Sequence, residues 1–315
     1  MRLPPPEPTA ITFRAGVRPN RNLALTNDLE ILSTPEVPDG LPPPPPARRI
    51  PNFGHTVLFF TVAIIVLLLT SFSVFALAMS LHPLGRETPE QLLREPRLLI
   101  PTMAVGYLIA GAIVWALFTY LWQRPFAQAL HWNFAAVRGR WGRLLALGIA
   151  LSLVVQFLSN FLPIPKTLPI DDFFRTPADV WMVAVFGTFM APVFEELAFR
   201  GFLLPSIAST WDWLRVPGPE ADAANIEKNP RWSIPALVAS CTVTSIAFAL
   251  VHADQLAHAW APLAVLFTVS LVLCGVRLWT QSLAASTFIH ATYNGTIFTI
   301  LFFATGGFRH LDKIT

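Results

Sequence analysis

Seven stretches of this sequence are long, apolar and nearly free of charge: 54–81, 98–122, 143–162, 180–208, 232–254, 259–276 and 282–305. A helix rises about 1.5 Å per residue and a hydrocarbon core is about 30 Å thick, so runs of this length are built to cross a bilayer as helices. Charged residues make up only 13% of the chain and mean hydropathy is +0.54. A soluble domain carries about 25% charged residues, which excludes that class. The expected fold is all-α: a polytopic membrane helix bundle of about seven spans, with six and eight also admissible because the 259–281 stretch need not cross fully.

The fourth run breaks the rule that spans exclude charge. Within it stand Glu195, Glu196 and Arg200. Each costs about 2.5–3.5 kcal/mol at the centre of a membrane helix, so they need partners or a purpose. On a regular helix Glu196 and Arg200, four apart, lie about 40° from each other and can pair. Glu195 and Arg200, five apart, lie about 140° round and largely miss. Arg200 then holds Glu196, while Glu195 has no local cation and is the candidate proton-transfer base.

Two later runs add polar groups on shared faces. Phe248 and His252 are four apart near the end of the fifth, and His290 and Asn294 are four apart in the seventh. Alone, His252 reads as an interfacial anchor and Asn294 as a bond to a neighbouring helix. Together with a free carboxylate, two imidazoles form the inventory for activating water at a peptide carbonyl. The first three runs lack such clusters. Gln156 and Asn160, four apart in the third, are expected to hydrogen-bond a neighbouring helix.

The order Glu195-Glu196-xxx-Arg200, Phe248-xxx-His252, His290-xxx-Asn294 resembles the CPBP family of intramembrane proteases, which includes the type II CAAX prenyl endopeptidases and relatives linked to abortive infection and bacteriocin processing. The resemblance covers roughly 180–305. It implies an intramembrane endopeptidase acting on a membrane-embedded or lipidated peptide or protein, possible CAAX-type prenylation included. By the same resemblance Glu195 and His252 activate water, His290 and Asn294 bind the oxyanion, and Glu196 with Arg200 holds the helix and polarises the site.

A metal-free, glutamate-dependent mechanism is favoured, because pairing Glu196 with Arg200 removes a ligand and no His-Glu-x-x-His helix is present. Zinc stays possible, with Glu195, His252 and His290 as its ligands. Two other classes compete: a non-catalytic scaffold, regulator or bacteriocin-immunity protein on the same fold, and a proton-coupled transporter. The transporter expects matched broken helices, and Pro192 interrupts only one.

The expected organisation is a disordered proline-rich tail (1–52), the bundle (53–305) and a short C-terminal tail (306–315). The first apolar run is too long and too far from Met1 for a cleavable signal. Counting Lys and Arg in alternate connections gives 14 on the side of the tail and 7 on the other, so the N-terminus is expected to be cytoplasmic. Straight spans put His252 and His290 at different depths. Cys241 and Cys274 read as core residues, and scattered basic residues argue against nucleic acid as a partner.

Overall fold

A computed structural model describes residues 50–81, 95–215 and 232–313. Most of the proline-rich tail, the loop after residue 81 and the second half of the 209–231 connection lie outside the described residues. Among the described residues there is no strand, and seven long helical rods account for the seven apolar runs. These are α1 (Phe53–Leu81), α2 (Pro96–Trp122), α3 (Trp141–Ser159), α4 (Pro177–Arg215), α5 (Ile234–Leu250), α6 (Trp260–Thr280) and α7 (Leu283–Ala304). Five of them, α1 to α4 and α6, are long and apolar enough to cross a membrane, while α5 is a shorter apolar helix. The chain is an integral membrane protein, and side chains such as Leu68, Phe72 and Phe161 face outward as lipid requires.

Local chemistry sets the helix ends. Asn52 and His55 cap α1 reciprocally: each backbone N–H donates to the other's side chain at 3.1 Å. Thr176 caps α4, taking the Asp179 N–H at 3.3 Å, with Pro177 at the first position. Asp179 is buried and takes Arg97 Nε at 3.2 Å and the Thr176 hydroxyl at 2.6 Å, tying the start of α2 to the start of α4. Phe202 of α4 packs between Phe59 of α1, at 4.4 Å between ring centres, and Phe118 of α2, at 4.9 Å.

On the far side α3 lies against α7. A Cβ added to Gly148 would sit 2.7 Å from Thr292 Cβ and 3.1 Å from Ile289 O, so only glycine allows this approach. Replacing glycine by alanine within a helix gains about 1 kcal/mol from propensity. Overpacking of this kind costs about 1–3 kcal/mol. Gly148→Ala is therefore expected to lower the melting temperature in detergent and Gly148→Val to lower it further, whereas Gly275→Ala, whose Cβ enters open space, is expected to be neutral or stabilising. Equal responses at the two glycines would contradict the close crossing.

Four expectations are corrected. Gln156 and Asn160 do not reach a neighbouring helix. Gln156 donates to Ser152 O at 3.2 Å and to Ser152 Oγ at 3.0 Å, and Asn160 donates to Gln156 O at 3.1 Å, because the carbonyl one turn back on the same helix is nearer. Arg277 is no loop residue: α6 runs on to Thr280, and Arg277 is buried with Nη2 3.5 Å from Leu130 O. Removing it from the charge count leaves the direction of the bias unchanged. Nor do residues 306–313 trail away, for Gly306 and Gly307 take positive φ and turn the chain back to bury Phe308 against Trp181 and Phe302.

The fourth correction concerns α4, which is not one regular helix. Two π-helical turns, Phe186–Met190 and Leu197–Leu203, bracket the α-helical Ala191–Glu196 that carries the glutamates. Each wide turn closes on a proline. Ala191 N–H bonds back five residues to Phe186 O and is followed by Pro192, and Leu204 N–H bonds back to Phe199 O and is followed by Pro205. A proline ring clashes with the carbonyl four residues earlier, and widening the turn relieves that clash.

Candidate functional site

Glu196 is the hub. It and Arg200 are both wholly buried, with Arg200 Nη1 donating to Glu196 Oε1 at 2.8 Å, the pairing expected from the four-residue spacing. The same oxygen faces His290 Nδ1 at 3.0 Å, joining α4 to α7. Glu196 Oε2 has no hydrogen bond, since the neighbouring Ser286 hydroxyl donates to Leu283 O at 3.0 Å instead. Arg200 uses its other terminal nitrogen on α6, donating to Ser270 O at 3.0 Å and Ser270 Oγ at 2.7 Å. One guanidinium therefore locks α4 to α6 and fixes the carboxylate beside Glu195.

Glu195 is the freer acid. Its side chain keeps 20% of its exposure, and His290 Nε2 lies 3.6 Å from its Oε2. His290 is thus poised between the two glutamates, with one ring nitrogen towards each. Phe194, just before Glu195, packs its ring 4.5 Å from that of Tyr107 on α2, which sets the wall on that side.

The Phe248 ring completes the enclosure. It lies 4.9 Å from the Arg200 guanidinium, 5.9 Å from the His290 ring and 5.0 Å from the His252 ring. A guanidinium at this distance from an aromatic ring is held by the ring's quadrupole. Both imidazoles flank one phenylalanine, so the difference in depth expected from straight spans is not found. α5 starts at Ile234, two residues later than Trp232, and ends at Leu250, which shortens the path to His252. His252 Nδ1 lies 2.8 Å from Phe248 O, and a carbonyl only accepts, so Nδ1 is the donor of this bond and Nε2 is not used by it. Among the described residues His252 makes no ion pair with either glutamate.

Asn294 is placed differently from the others. Its Nδ2 donates to Gly187 O at 2.7 Å, in the first π-helical turn of α4. Of the candidate zinc ligands, His252 and His290 both lie against the Phe248 ring, and among the described residues no group of three or more His, Cys, Asp or Glu is placed to hold a metal.

Sequence reading missed Ser270, for which a serine in an apolar run gives no signal, and the buried Arg277. Beside Arg277 the chain turns at His131, whose carbonyl accepts Leu283 N–H at 3.0 Å, while Asn133 O accepts the Ser282 hydroxyl at 2.9 Å. These bonds hold the α6–α7 link and hence the height of His290. Burial, with the Arg277 charge added to it, holds the His131 imidazole below its ordinary pKa. Two surface hollows, one lined by Trp181 and Phe302 and the other by Trp115 and Tyr120, lie elsewhere.

A helical membrane protein that gathers two glutamates, an arginine and a histidine in one contact network, all of them buried except Glu195, belongs to the class whose polar residues within lipid serve chemistry or transport. The comparison with known families is more definite. Residues 177–296 match the family described as Rce1-like, type II CAAX prenyl endopeptidase, so that segment is similar to the CAAX-type intramembrane proteases. No curated protein and no solved structure matches the chain.

Proposed function

We propose that the protein is a glutamate-dependent intramembrane endopeptidase that cleaves a membrane-associated peptide near its C-terminus. The observation that carries the reading is the contrast between the two adjacent acids: Glu196 is locked by Arg200 and His290, and Glu195 is left partly exposed beside His290 Nε2. A structural ion pair needs only one carboxylate. The second, unlocked one is free to take a proton.

In this mechanism a water bound between Glu195 and His252 Nε2 gives its proton to the Glu195 carboxylate as its oxygen adds to the scissile carbonyl carbon. The carbonyl π pair moves onto oxygen, and the oxyanion is met by a proton on His290 Nε2, whose Nδ1 is anchored on Glu196. The tetrahedral centre then collapses, the C–N bond breaks, and the proton held by Glu195 passes to the leaving amine. Peptide and water become acid and amine with nothing left over. The bias of basic residues supports an N-terminus on the cytoplasmic side, and family likeness supports a prenylated CAAX-type peptide as the substrate.

The test uses purified full-length protein in liposomes with two synthetic membrane peptides, one ending in a prenylated CAAX sequence and one identical but unprenylated. Cleavage of the prenylated peptide, unchanged by a metal chelator, is the expected result. No cleavage of either peptide above that in empty liposomes would sink the proposal, and activity lost to the chelator and restored by zinc would sink its metal-free form.

A further inference from the structure

The bond from Asn294 to Gly187 crosses 107 residues of sequence, and the chain itself explains why that carbonyl needs a donor. The turn Phe186–Met190 is π-helical, and the Ala191 N–H that closes it reaches back five residues to Phe186 O. One step on in this register, Gly187 O would be met by residue 192, which is proline and has no N–H. Inside a bilayer no water is at hand to make good the loss, so a side chain must. Asn294 Nδ2 stands 2.7 Å from that oxygen.

Two neighbours keep α7 in register with the same turn. A Cβ on Gly295 would be 3.2 Å from Thr188 Cγ2, and a Cβ on Gly187 would be 3.3 Å from the Phe298 ring, one helical turn beyond Asn294. α7 is thus seated on residues 187 and 188, about one turn before the proline. Glu195 follows three residues after Pro192, about 4.5 Å along the axis. Whatever fixes this turn fixes the direction in which Glu195 leaves it.

We propose that Asn294 is a positioning residue, its amide standing in for the N–H that Pro192 lacks and so aiming Glu195. The inference rests on the reading of Glu195 as the proton acceptor.

The test is a cycle of wild type, Asn294→Ala, Pro192→Ala and the double variant, each read in the liposome assay with the prenylated peptide and by thermal unfolding in detergent. Asn294→Ala should lower kcat about 10–100-fold with KM little changed, because a small misplacement of a catalytic group has effects of that order. Asn294→Asp, which has no N–H to donate, should behave the same way. Pro192→Ala restores a backbone donor, so the double variant should recover most of the lost kcat and of the lost melting temperature. A double variant as slow as Asn294→Ala would overturn the positioning role and return Asn294 to the substrate. Additive melting temperatures would overturn the pairing with Pro192, whatever happens to the peptide. If the wild type does not cleave, the hydrolytic reading falls while the thermal cycle still decides the pairing.

Discussion

Arg200→Ala should unfold or severely weaken the protein before any question of activity arises. Both partners of its ion pair are wholly buried, and truncation strands the Glu196 carboxylate with His290 as its one remaining bonded partner. Breaking one side of a buried pair costs about 3–5 kcal/mol, a large part of the 5–15 kcal/mol that holds a typical domain together. Arg200 also donates twice to Ser270, so the substitution unties α4 from α6 as well. The measurement is the melting temperature and the monodisperse fraction after extraction. Arg200→Lys keeps the charge but lacks the fork that reaches Glu196 and Ser270 together, and it should recover only part of the loss. Removing both charges, with Arg200→Met and Glu196→Gln, should be milder than Arg200→Ala alone, because no charge is then stranded. If Arg200→Ala melts with the wild type, the pair does not hold the bundle.

How far the sequence shows these contacts depends on how local they are. The Glu196–Arg200 pair is legible because both residues sit on one helix, and the cost of charge in lipid demands a partner. The seven rods are legible for the same reason, since apolar length alone specifies them. The π-helical turns are not. Pro192 marks a break, but whether a helix meets proline by kinking or by widening depends on what is packed beside it, here Asn294, Gly295 and Phe298 of α7. Asn294 shows the same limit from the other side: its spacing from His290 puts both on one face, yet its bond runs to a backbone carbonyl that no side-chain motif encodes. Gln156 and Asn160 carry the polarity of an interhelical contact and turn to their own helix. Arg277 is hidden because a basic residue near the end of an apolar run ordinarily lies at the interface, and here α6 continues for another three residues.

Glu195→Gln should abolish cleavage while leaving the bundle intact, and the contrast with its neighbour makes the result diagnostic. Glutamine keeps the size of the side chain and removes its capacity to take a proton from water, and losing a general base lowers rates by about 10²–10⁴-fold. The structural consequence should be small, since Glu195 is partly exposed and His290 Nε2 is 3.6 Å from its carboxylate. Glu196→Gln differs on both counts. It replaces an oxygen that receives Arg200 and His290 together, so melting temperature and turnover should fall in step. Glu195→Asp separates position from chemistry, for it keeps the carboxylate and draws it back by one methylene. A loss of about 10²-fold is expected from a displacement near 1 Å. Measured in liposomes on the prenylated peptide, Glu195→Gln retaining more than about a tenth of wild-type kcat would deny it the role of base, because proton transfer contributes at least tenfold more than that. The acid between the two wide turns of α4 would then be a bystander, and the locked Glu196 the only carboxylate with a task.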